Sequence, residues 1–501
     1  MSLLGIDCGT TGCKAGIVDA EGQFLALAYR EYEIVRPQPD WAEMDSRTVW
    51  QKVKEVIAEV AQAARHDPVT ALSITSMGEA MTPVSAERAI LGNCLLMVDA
   101  RGREYAAALD VRPGREHLHA INGNVLGTAF SAPKLAWVRD HQPDLFRRAH
   151  RFLLWAGLVG YLLGGEPATD RSLANRTLLF DLHTGDWSPE LLAAMGIPLD
   201  KLPRVVPSHA VIGQVDDRLA DELGLARGVK IIAGGHDQCC TALGAGVVKP
   251  GRAVYGIGTF LCVTPVYDVL PPSNIMLDAG MSIEHHVVPG LYVSFLYNGT
   301  GGSVLRWVRD TMACAEHAEA RARGADVYDQ LMAELPAMPT NLIVLPHFAP
   351  CGPPTFDDRS SGVIAGLKLG TSRGELIKGI LEGVTYYFAE GLSLIARAGL
   401  QVNEFRATGG GAKSDAWLQL TADILGRPIV RLEVSECGVL GAAILAGVGS
   451  GVFSSAAETA EAFVRITRTC EPSLSTHALY RERLERYQQL YPLLKDYLHQ
   501  L

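Results

Sequence analysis

The stretch Leu3–Lys14, LLGIDCGTTGCK, decides the fold of this chain. An apolar run leads into Asp7, a Gly-Thr-Thr-Gly turn follows, and a second apolar run, KAGIVD, begins at Lys14. Such runs predict strands, so the loop joins the two strands of a hairpin. A Walker A loop instead passes from strand to helix and contains Gly-Lys-Ser/Thr, whereas here Cys13 separates Gly12 from the lysine. The loop is therefore either a bare hairpin turn or a turn that binds phosphate.

A second hairpin of the same kind lies halfway along the chain. It begins at Gly251, and the following residues Arg252–Pro265, RAVYGIGTFLCVTP, again have a strand, a glycine-threonine turn and another strand. Two similar hairpins predict two related domains that face each other with a ligand between them, and 501 residues exceed a single hydrophobic core. We place the first domain at residues 1–249 and the second at residues 250–501. Strands that alternate with helical patterns predict an α/β fold class.

Composition excludes several classes of partner. The chain has 45 Lys and Arg against 55 Asp and Glu, a net charge of -10, so its overall field repels nucleic acid. No apolar run reaches the roughly 18 residues of a membrane span, and the first residues lack the pattern of a signal peptide. Ten cysteines without a C-x-x-C pair are typical of reduced thiols. We therefore expect a cytoplasmic protein that binds neither nucleic acid nor a membrane.

Three long segments show helical spacing of apolar residues. The first is Ser46–Arg65, with Ser46 as the predicted N-cap. The second is Gly374–Gly399, whose three consecutive aromatic residues we assign to the core. The third is the terminal segment Ser475–Leu501, which we expect to be interrupted near Pro492 because proline lacks the N–H that a helix uses.

An aspartate follows the strand within Ile231–Val248, IIAGGHDQCCTALGAGVV. Two glycines and His236 precede Asp237, and Gln238 follows it, at the point where a helix of small residues begins. Because α/β sheets bind ligands at the carboxyl ends of their strands, Asp237 is a candidate functional residue. Aspartate is also a favoured N-cap, so a purely capping role stays open.

Two further stretches carry candidate binding residues. In Arg406–Ile429 a strand ends in three glycines before a helix begins, which lets a flat ligand approach the backbone and a negative group approach the helix N-terminus. Close packing of strand and helix is the alternative. In Ser73–Ser85 the carboxylate of Glu79 follows a strand, where it can accept hydrogen bonds from hydroxyl groups or lie in an exposed loop.

Together these features resemble the FGGY carbohydrate kinase family, which includes xylulokinase and glycerol kinase, and the similarity runs along nearly the whole chain. Beyond the loops it rests on four stretches: PQPDWAEMDSRTVW, AFSAPKLAWVRDHQPDLF, GVIAGLKLGTSRGELIKGILEGV and TGGGAKSDAWLQLTADIL. The resemblance implies a two-domain actin-like, ribonuclease-H-like fold that transfers the γ-phosphoryl group of ATP to a hydroxyl of a small sugar or polyol. It also implies Mg²⁺ and a possible homodimer.

The resemblance assigns roles to individual residues. Asp237 would be the catalytic base, and Asp7 would position Mg²⁺ through water. The implied nucleotide contacts are Thr10, Thr11, Lys14, Gly258, Thr259, Gly302, Gly411, Ala412 and Asp415. The implied acceptor contacts are Met77, Glu79, Asp99, Asp237 and Gln238.

The acceptor site departs from both named members of the family. Glu79 and the Asp-Gln pair at Asp237 match glycerol kinases, but Gly78 stands where these enzymes have arginine. Ala129 replaces their tyrosine, and Met97 replaces the tryptophan usual in both groups. The stretch FSAPKLAWV is closer to xylulokinases. We therefore predict a xylulokinase-like enzyme acting on a ketopentose or related sugar or polyol, with glycerol, erythritol or gluconate as alternative acceptors.

Two other classes share the actin-like superfamily. A nucleotide-hydrolysing chaperone would need a peptide-binding domain after its ATPase, and we expect only a helix there. A sugar-sensing repressor would need a DNA-binding module, for which the strand beginning at Leu3 leaves no room. ATP turnover without an acceptor would favour the chaperone.

Overall fold

The computed structural model describes residues 2–349, 351–357 and 359–501. The strands of the first half are β1 Ser2–Cys8, β2 Gly12–Val18, β3 Phe24–Glu31, β4 Glu43–Met44, β5 Val69–Ser76, β6 Met81–Val84, β7 Cys94–Leu95, β8 Arg151–Leu154, β9 Ala168–Asp170, β10 Phe180–Asp181, β11 Asp186–Trp187, β12 Arg204–Val206, β13 Val211–Gln214 and β14 Lys230–His236. Its helices are α1 Ser46–Ala63, α2 Arg103–Leu109, α3 Arg115–Asn122, α4 Ser131–His141, α5 Pro143–Arg148, α6 Trp155–Leu163, α7 Arg171–Asn175, α8 Pro189–Met195, α9 Asp217–Leu223 and α10 Asp237–Gly244. Short helical turns occupy Asp110–Gly114 and Leu199–Lys201.

The second half continues with a similar mixture. Its strands are β15 Arg252–Ile257, β16 Leu261–Tyr267, β17 Glu284–His285, β18 Tyr292–Val293, β19 Leu296–Asn298, β20 Ile343–Leu345, β21 Val363–Ala365, β22 Glu404–Thr408, β23 Ile429–Leu432 and β24 Ile466–Cys470. Its helices are α11 Ser273–Asp278, α12 Gly302–Met312, α13 Cys314–Arg323, α14 Val327–Ala333, α15 Arg373–Arg397, α16 Asp415–Leu425, α17 Cys437–Ser450, α18 Ala456–Phe463 and α19 Leu474–Leu498. A 3₁₀ turn occupies Gly410–Lys413.

The two central sheets repeat one strand order. In the first, the antiparallel strands β3, β2 and β1 continue into β5 and β14, which run parallel to β1, and antiparallel β13 forms the edge. In the second, the antiparallel pair β16 and β15 continues into parallel β22 and β23, and antiparallel β24 follows. The repeated order confirms the predicted α/β fold with two related halves. The boundary at residue 250 stays a prediction.

The halves meet through two helices whose backbones touch. Helix α10 packs against α17, and α17 also packs on β1 and β5 of the first sheet. A Cβ atom at Gly441 would lie 2.0 Å from the carbonyl oxygen of Cys240, and one at Gly244 would lie 1.9 Å from the carbonyl oxygen of Cys437. Apolar residues from both halves form one buried cluster around this crossing. Glycine is therefore required at the crossing because no side chain fits there.

Two local expectations about helices need correction. The N-cap of α1 is Asp45, whose carboxylate accepts hydrogen bonds from two main-chain N–H groups, while Ser46 is buried and its Oγ lies 3.1 Å from the Thr82 hydroxyl. Helix α19 continues through Pro492 instead of being interrupted. Buried tyrosines before the proline and buried Leu498 after it hold both ends of the helix, so tertiary packing overrides local propensity.

The three consecutive aromatic residues of α15 are fully buried, as predicted. In the described part of the chain, no helix combines the length and apolar character needed to cross a membrane.

We expect Gly441→Ala to weaken the junction between the halves. The added methyl group would overlap the Cys240 carbonyl and push α10 and α17 apart, lowering the free energy of unfolding by about 2 kcal/mol or more. Urea unfolding followed by circular dichroism measures the change. Gly370→Ala is the matched control because a Cβ atom there meets nothing within 4 Å. Equal midpoints for the two variants would contradict the close crossing.

Candidate active site

Three carboxylates gather at the carboxyl ends of three adjacent strands. Asp7 lies near the end of β1, Glu79 follows β5, and Asp237 follows β14 directly. The ends are in register, because Ser76 of β5 pairs with Cys8 on one side and with His236 on the other. Since parallel strands end at the same edge of a sheet, the fold brings these predicted residues together.

Asp237 is the first residue of α10, and His236 holds the N-cap position. The capping alternative for Asp237 is therefore wrong. Its carboxylate lies 3.3 Å from His236 Nε2, and its side chain remains 27% exposed. Burial, with the charges of Asp7 and Glu79, raises the pKa of Asp237 to about 8, and burial holds the pKa of His236 well below its usual range. The pair thus consists of a neutral imidazole and a carboxyl group that binds a proton readily.

Asp7 fits a cation-binding role. Its Oδ1 is buried and has no hydrogen-bond partner among the described residues. Burial raises the pKa of Asp7 to about 6, against the opposing charge of Lys14. Lys14 in turn donates to Glu436 of the second half at 2.6 Å. A buried oxygen without a partner is costly unless a ligand satisfies it, so this atom suits a hydrated divalent cation.

The first glycine loop closes with a hydrogen bond from the Gly9 N–H to the Gly12 carbonyl at 3.0 Å. The Thr10 hydroxyl lies 3.7 Å from the Met77 sulfur, and Thr11 is exposed. The loop therefore lies beside the strand end that carries Glu79, and the role of its two threonines as phosphate contacts stays a prediction.

Three predicted nucleotide-binding segments touch one another in the second half. The Gly302 N–H donates to the Gly258 carbonyl at 2.8 Å, and the Ser303 N–H donates to the Thr259 carbonyl at 3.2 Å. A Cβ atom at Gly411 would lie 2.3 Å from Ile257, next to the same loop. The structure therefore assembles these glycines, which lie far apart in sequence, into a single backbone platform.

The predicted adenosine contacts beyond the platform have partners of their own. Ala412 is buried, and its carbonyl accepts a hydrogen bond from Arg431 Nε at 2.7 Å. The carboxylate of Asp415 forms ion pairs with Arg431 and Arg468. Arg431 thus ties the turn after β22 to the start of α16, which fixes the shape of this end of the platform.

Glu79 has an unusual backbone conformation and a fixed position. Its φ angle is 62°, in the left-handed region that costs a non-glycine residue free energy. The Ser131 hydroxyl donates to the Glu79 carbonyl at 2.6 Å. Arg176 Nε donates to Glu79 Oε1 at 2.7 Å. The strained backbone is therefore held by contacts from two other elements, as is typical of functional sites.

The side chains of the remaining predicted acceptor residues differ in their exposure to solvent. Gln238 is half-buried beside Asp237, and Met77 is buried against the first loop. Asp99 is enclosed, because its carboxylate accepts hydrogen bonds from the Arg101 guanidinium at 2.9 and 2.7 Å and from the Ala42 N–H at 2.6 Å. Both of its oxygens are therefore occupied, and its visible role is to hold the loop that carries Met97.

Residues of the acceptor site that sequence reasoning missed come from distant segments. Arg176 follows α7 and links Glu79 to Glu284, to which its Nη1 donates at 2.6 Å. Tyr297 of β19 lies close enough that the charges of Arg176 and Glu79 act on its phenol, whose pKa burial raises. The one sequence signal was an arginine standing among apolar residues in SLANRTLLF.

An apolar cavity of about 700 Å³ opens between the halves. The loop of the first half contributes Met97 and Val98, and the second half contributes Thr259, Phe260 and Tyr297 among its lining residues. The second glycine loop and the loop that carries Met97 therefore line one space, whereas Glu79 lines a separate, smaller cavity with Ser131 and Lys134. Asp237 lies near β16 of the second half, since its charge acts on the thiol of Cys262, whose pKa burial raises to about 12.

The repeated sheets and the glycine turns at both strand edges define a two-domain, actin-like fold. The chain belongs to the FGGY family of carbohydrate kinases, since the family's N-terminal domain matches residues 2–244 and its C-terminal domain matches residues 262–450. The predicted family and enzyme class are thereby confirmed.

Relatives of two kinds span the whole chain. It is 28% identical to the xylulose kinase of Bacillus subtilis, covering 99% of this chain and 97% of that protein. It is 32% identical to the glycerol kinase of Bordetella parapertussis, with 99% and 97% covered. The solved xylulose kinase of Rhodospirillum rubrum has a TM-score of 0.89 at 28% identity and is matched over 100% of both chains. These relatives identify the fold and the kinase class and leave the acceptor to be argued from the site.

We expect Asp237→Asn to raise the melting temperature by an amount that grows with pH. The pKa of Asp237 is 3.8 in its ordinary state and about 8 in the folded protein. The wild type therefore loses stability as pH rises through this interval, because the buried group must ionise, whereas the amide has no proton to lose. The difference in melting temperature should widen from about pH 5 to about pH 8 and stay constant above it.

Scanning calorimetry without nucleotide or Mg²⁺ measures this difference. Asp268→Asn, which changes an exposed carboxylate after β16, is the control and should show no such trend. A difference for Asp237→Asn that does not change with pH would contradict the raised pKa.

Proposed function

We propose that this enzyme transfers the γ-phosphoryl group of ATP to a hydroxyl of a neutral ketopentose or related polyol, as a xylulokinase-like kinase. The observation that carries the proposal is Asp237, a carboxyl group of raised pKa at a strand end that faces Asp7 and Glu79. Such a group can orient an acceptor hydroxyl and take its proton as the new P–O bond forms. The names of the full-length relatives support both a sugar and a polyol as acceptor.

Charge in the cleft favours a neutral acceptor over gluconate. Four carboxyl groups lie around the proposed acceptor position: Asp7, Glu79, Asp237 and Glu284. Arg176 is already paired with two of them, and the nearby cation Lys134 donates to two main-chain carbonyls, of which that of Thr128 is at 2.6 Å. A carboxylate substrate would therefore meet repulsion that neither of these two occupied cations offsets.

Space in the cleft favours an acceptor longer than glycerol. Ala129 and Met97 are smaller than the tyrosine and tryptophan that the resemblance leads us to expect, and Met97 lines a cavity of about 700 Å³ with Phe260. Apolar walls can pack against the carbon chain of a sugar while its hydroxyls reach Glu79 and Asp237. Erythritol and pentitols fit the same description, so they remain in the proposed class.

The chemistry needs positioning and charge neutralisation, because the transition state of phosphoryl transfer is loose. Backbone N–H groups of the first loop and of the platform around Gly258 would hold the phosphates, with Thr10 and Thr11 beside them. Asp7 would hold Mg²⁺ through water, and when bound the ion neutralises charge on the phosphate oxygens. Closure of the halves would exclude water, which otherwise competes with the acceptor hydroxyl.

The test is a panel of acceptors assayed by ADP release: D-xylulose and other pentuloses, pentitols, erythritol, glycerol and gluconate. We expect the highest kcat/KM with a neutral five-carbon acceptor and slow ATP turnover without any acceptor. Asp237→Asn should abolish transfer and leave ATP binding nearly intact, as measured by titration calorimetry. Rapid ATP hydrolysis without acceptor would contradict a kinase, and gluconate as the best acceptor would contradict the charge argument.

A second prediction concerns Glu79. Glu79→Gln should raise the acceptor KM by about tenfold, since an amide cannot accept hydrogen bonds through both of its terminal atoms, and the KM for ATP should not change. Initial rates at saturating ATP measure this. Glu166→Gln, which removes an exposed partner of Arg204, is the control. An unchanged acceptor KM would remove Glu79 from the acceptor site.

The cytoplasmic location and the homodimer stay predictions.

A further inference from the structure

Gly78 leaves a gap beside the acceptor site that another residue fills. A Cβ atom at Gly78 would lie 2.8 Å from Arg176 Cγ and 3.0 Å from Arg176 Cβ. The backbone of Gly78 lies outside the left-handed region, so crowding by Arg176 accounts for the glycine. The stem of Arg176 therefore occupies the space that a side chain at position 78 would take.

The position of Arg176 is set by aromatic packing and by burial. Its guanidinium carbon lies 4.9 Å from the ring centre of Phe130 and 5.7 Å from that of Phe295. The first ring comes from the first half and the second ring from the second half. The side chain is only 13% exposed. A cation held between two rings has little freedom to follow a ligand, so it acts as a fixed part of the site.

Arg176 joins carboxylates from the two halves. Its Nε and Nη2 donate to Oε1 of Glu79, and its Nη1 donates to Oε1 of Glu284 at 2.6 Å. In the described part of the chain, every hydrogen bond to the Glu79 side chain reaches Oε1. Arg176 thus anchors one oxygen of Glu79 and leaves Oε2 for another donor.

We propose that Arg176 is the positioning residue that sets acceptor affinity, by holding Glu79 with Oε2 directed at an acceptor hydroxyl. This inference rests on the proposed function. Without the guanidinium, the Glu79 carboxylate would lose both of its hydrogen bonds from Arg176, and the nearby Lys134 already donates to two main-chain carbonyls. Its side chain would then be free to rotate, and Oε2 would lose its fixed direction toward the acceptor hydroxyl.

The experiment compares Arg176→Met and Arg176→Lys with the wild type, with D-xylulose as probe and, beside it, the best acceptor of the panel. Both variants should raise the acceptor KM by about tenfold or more, since lysine cannot reproduce the two-carboxylate geometry. The KM for ATP should stay constant, and kcat should fall less than the acceptor KM rises. Arg176→Lys keeps the positive charge, so it provides a folded variant if Arg176→Met is unstable.

A double variant that moves the guanidinium from position 176 to position 78 distinguishes a positioning effect on Glu79 from a general loss of stability. Arg176→Ala combined with Gly78→Arg removes the long side chain from one position and supplies a guanidinium from the other. The remaining contact, between the Cβ atoms of the two positions at 3.0 Å, requires only a small backbone shift. If the guanidinium itself positions Glu79, the double variant should have a lower acceptor KM than Arg176→Ala alone.

Arg373→Met is the matched control. Arg373 also bridges two carboxylates, Glu334 and Glu316, but it does so at the start of α15. Its loss should leave both KM values unchanged. An unchanged acceptor KM in folded Arg176→Lys, or no recovery in the double variant, would overturn the inference.

Turnover by the wild type is measured first, so the two proposals can fail separately. Absence of turnover with every acceptor contradicts the proposed function. Turnover by the wild type together with an unaltered KM in the Arg176 variants contradicts only the role of Arg176.

Discussion

The crowding of negative charge at one sheet edge is the constraint on which the rest of this structure depends. Parallel pairing of β1, β5 and β14 brings Asp7, Glu79 and Asp237 to a common edge. Burial raises the pKa of Asp7, and burial together with the charges of Asp7 and Glu79 raises that of Asp237, so both groups ionise at a cost in this place. Nearby cations are needed to stabilise these carboxylates. The side chains of those cations are in turn fixed by ion pairs with residues of the second half.

Two cations that face this edge have partners in the second half. Lys14 contacts Glu436, and Arg176 contacts Glu284. The two cations beside the carboxylates of the first half therefore have all their ion-pair partners only when the second half packs against the first. The glycine crossing of α10 and α17 gives this assembly its geometry, because it lets the two helices approach until their backbones touch.

Around Glu79, where we propose that the acceptor binds, residues from several segments build one pocket. The small residues Gly78 and Ala129 remove groups from two positions, and the space beside Gly78 is filled by Arg176. Tyr297 approaches from the second half, near the charges of Arg176 and Glu79. The specificity of such a site depends on the positions of its guanidinium and hydroxyl groups. It depends less on which segment of the chain carries these groups.

The sequence by itself was sufficient to predict where the central strands end and where the loops between them lie. Apolar runs located the hairpins, and the positions of Glu79 and Asp237 after strands marked them as candidates without coordinates, whereas the role of Asp7 followed from the resemblance to the family. These signals are local, since each depends on a few neighbouring residues. The same local reasoning named Ser46 as a cap, although the hydrogen bonds that make Asp45 the cap are themselves local. It also expected a break at Pro492, where buried residues on both sides of the proline decide otherwise.

Only the tertiary structure decided the partners of those carboxylates. Arg176 lies nearly a hundred positions after Glu79, and Glu284 lies more than a hundred positions after Arg176. No periodicity connects such residues, since their meeting requires the sheets to form and the two halves to close on each other. The enclosure of Asp99 is partly of this kind, because Arg101 is a close neighbour in sequence whereas the N–H of Ala42 comes from a distant segment.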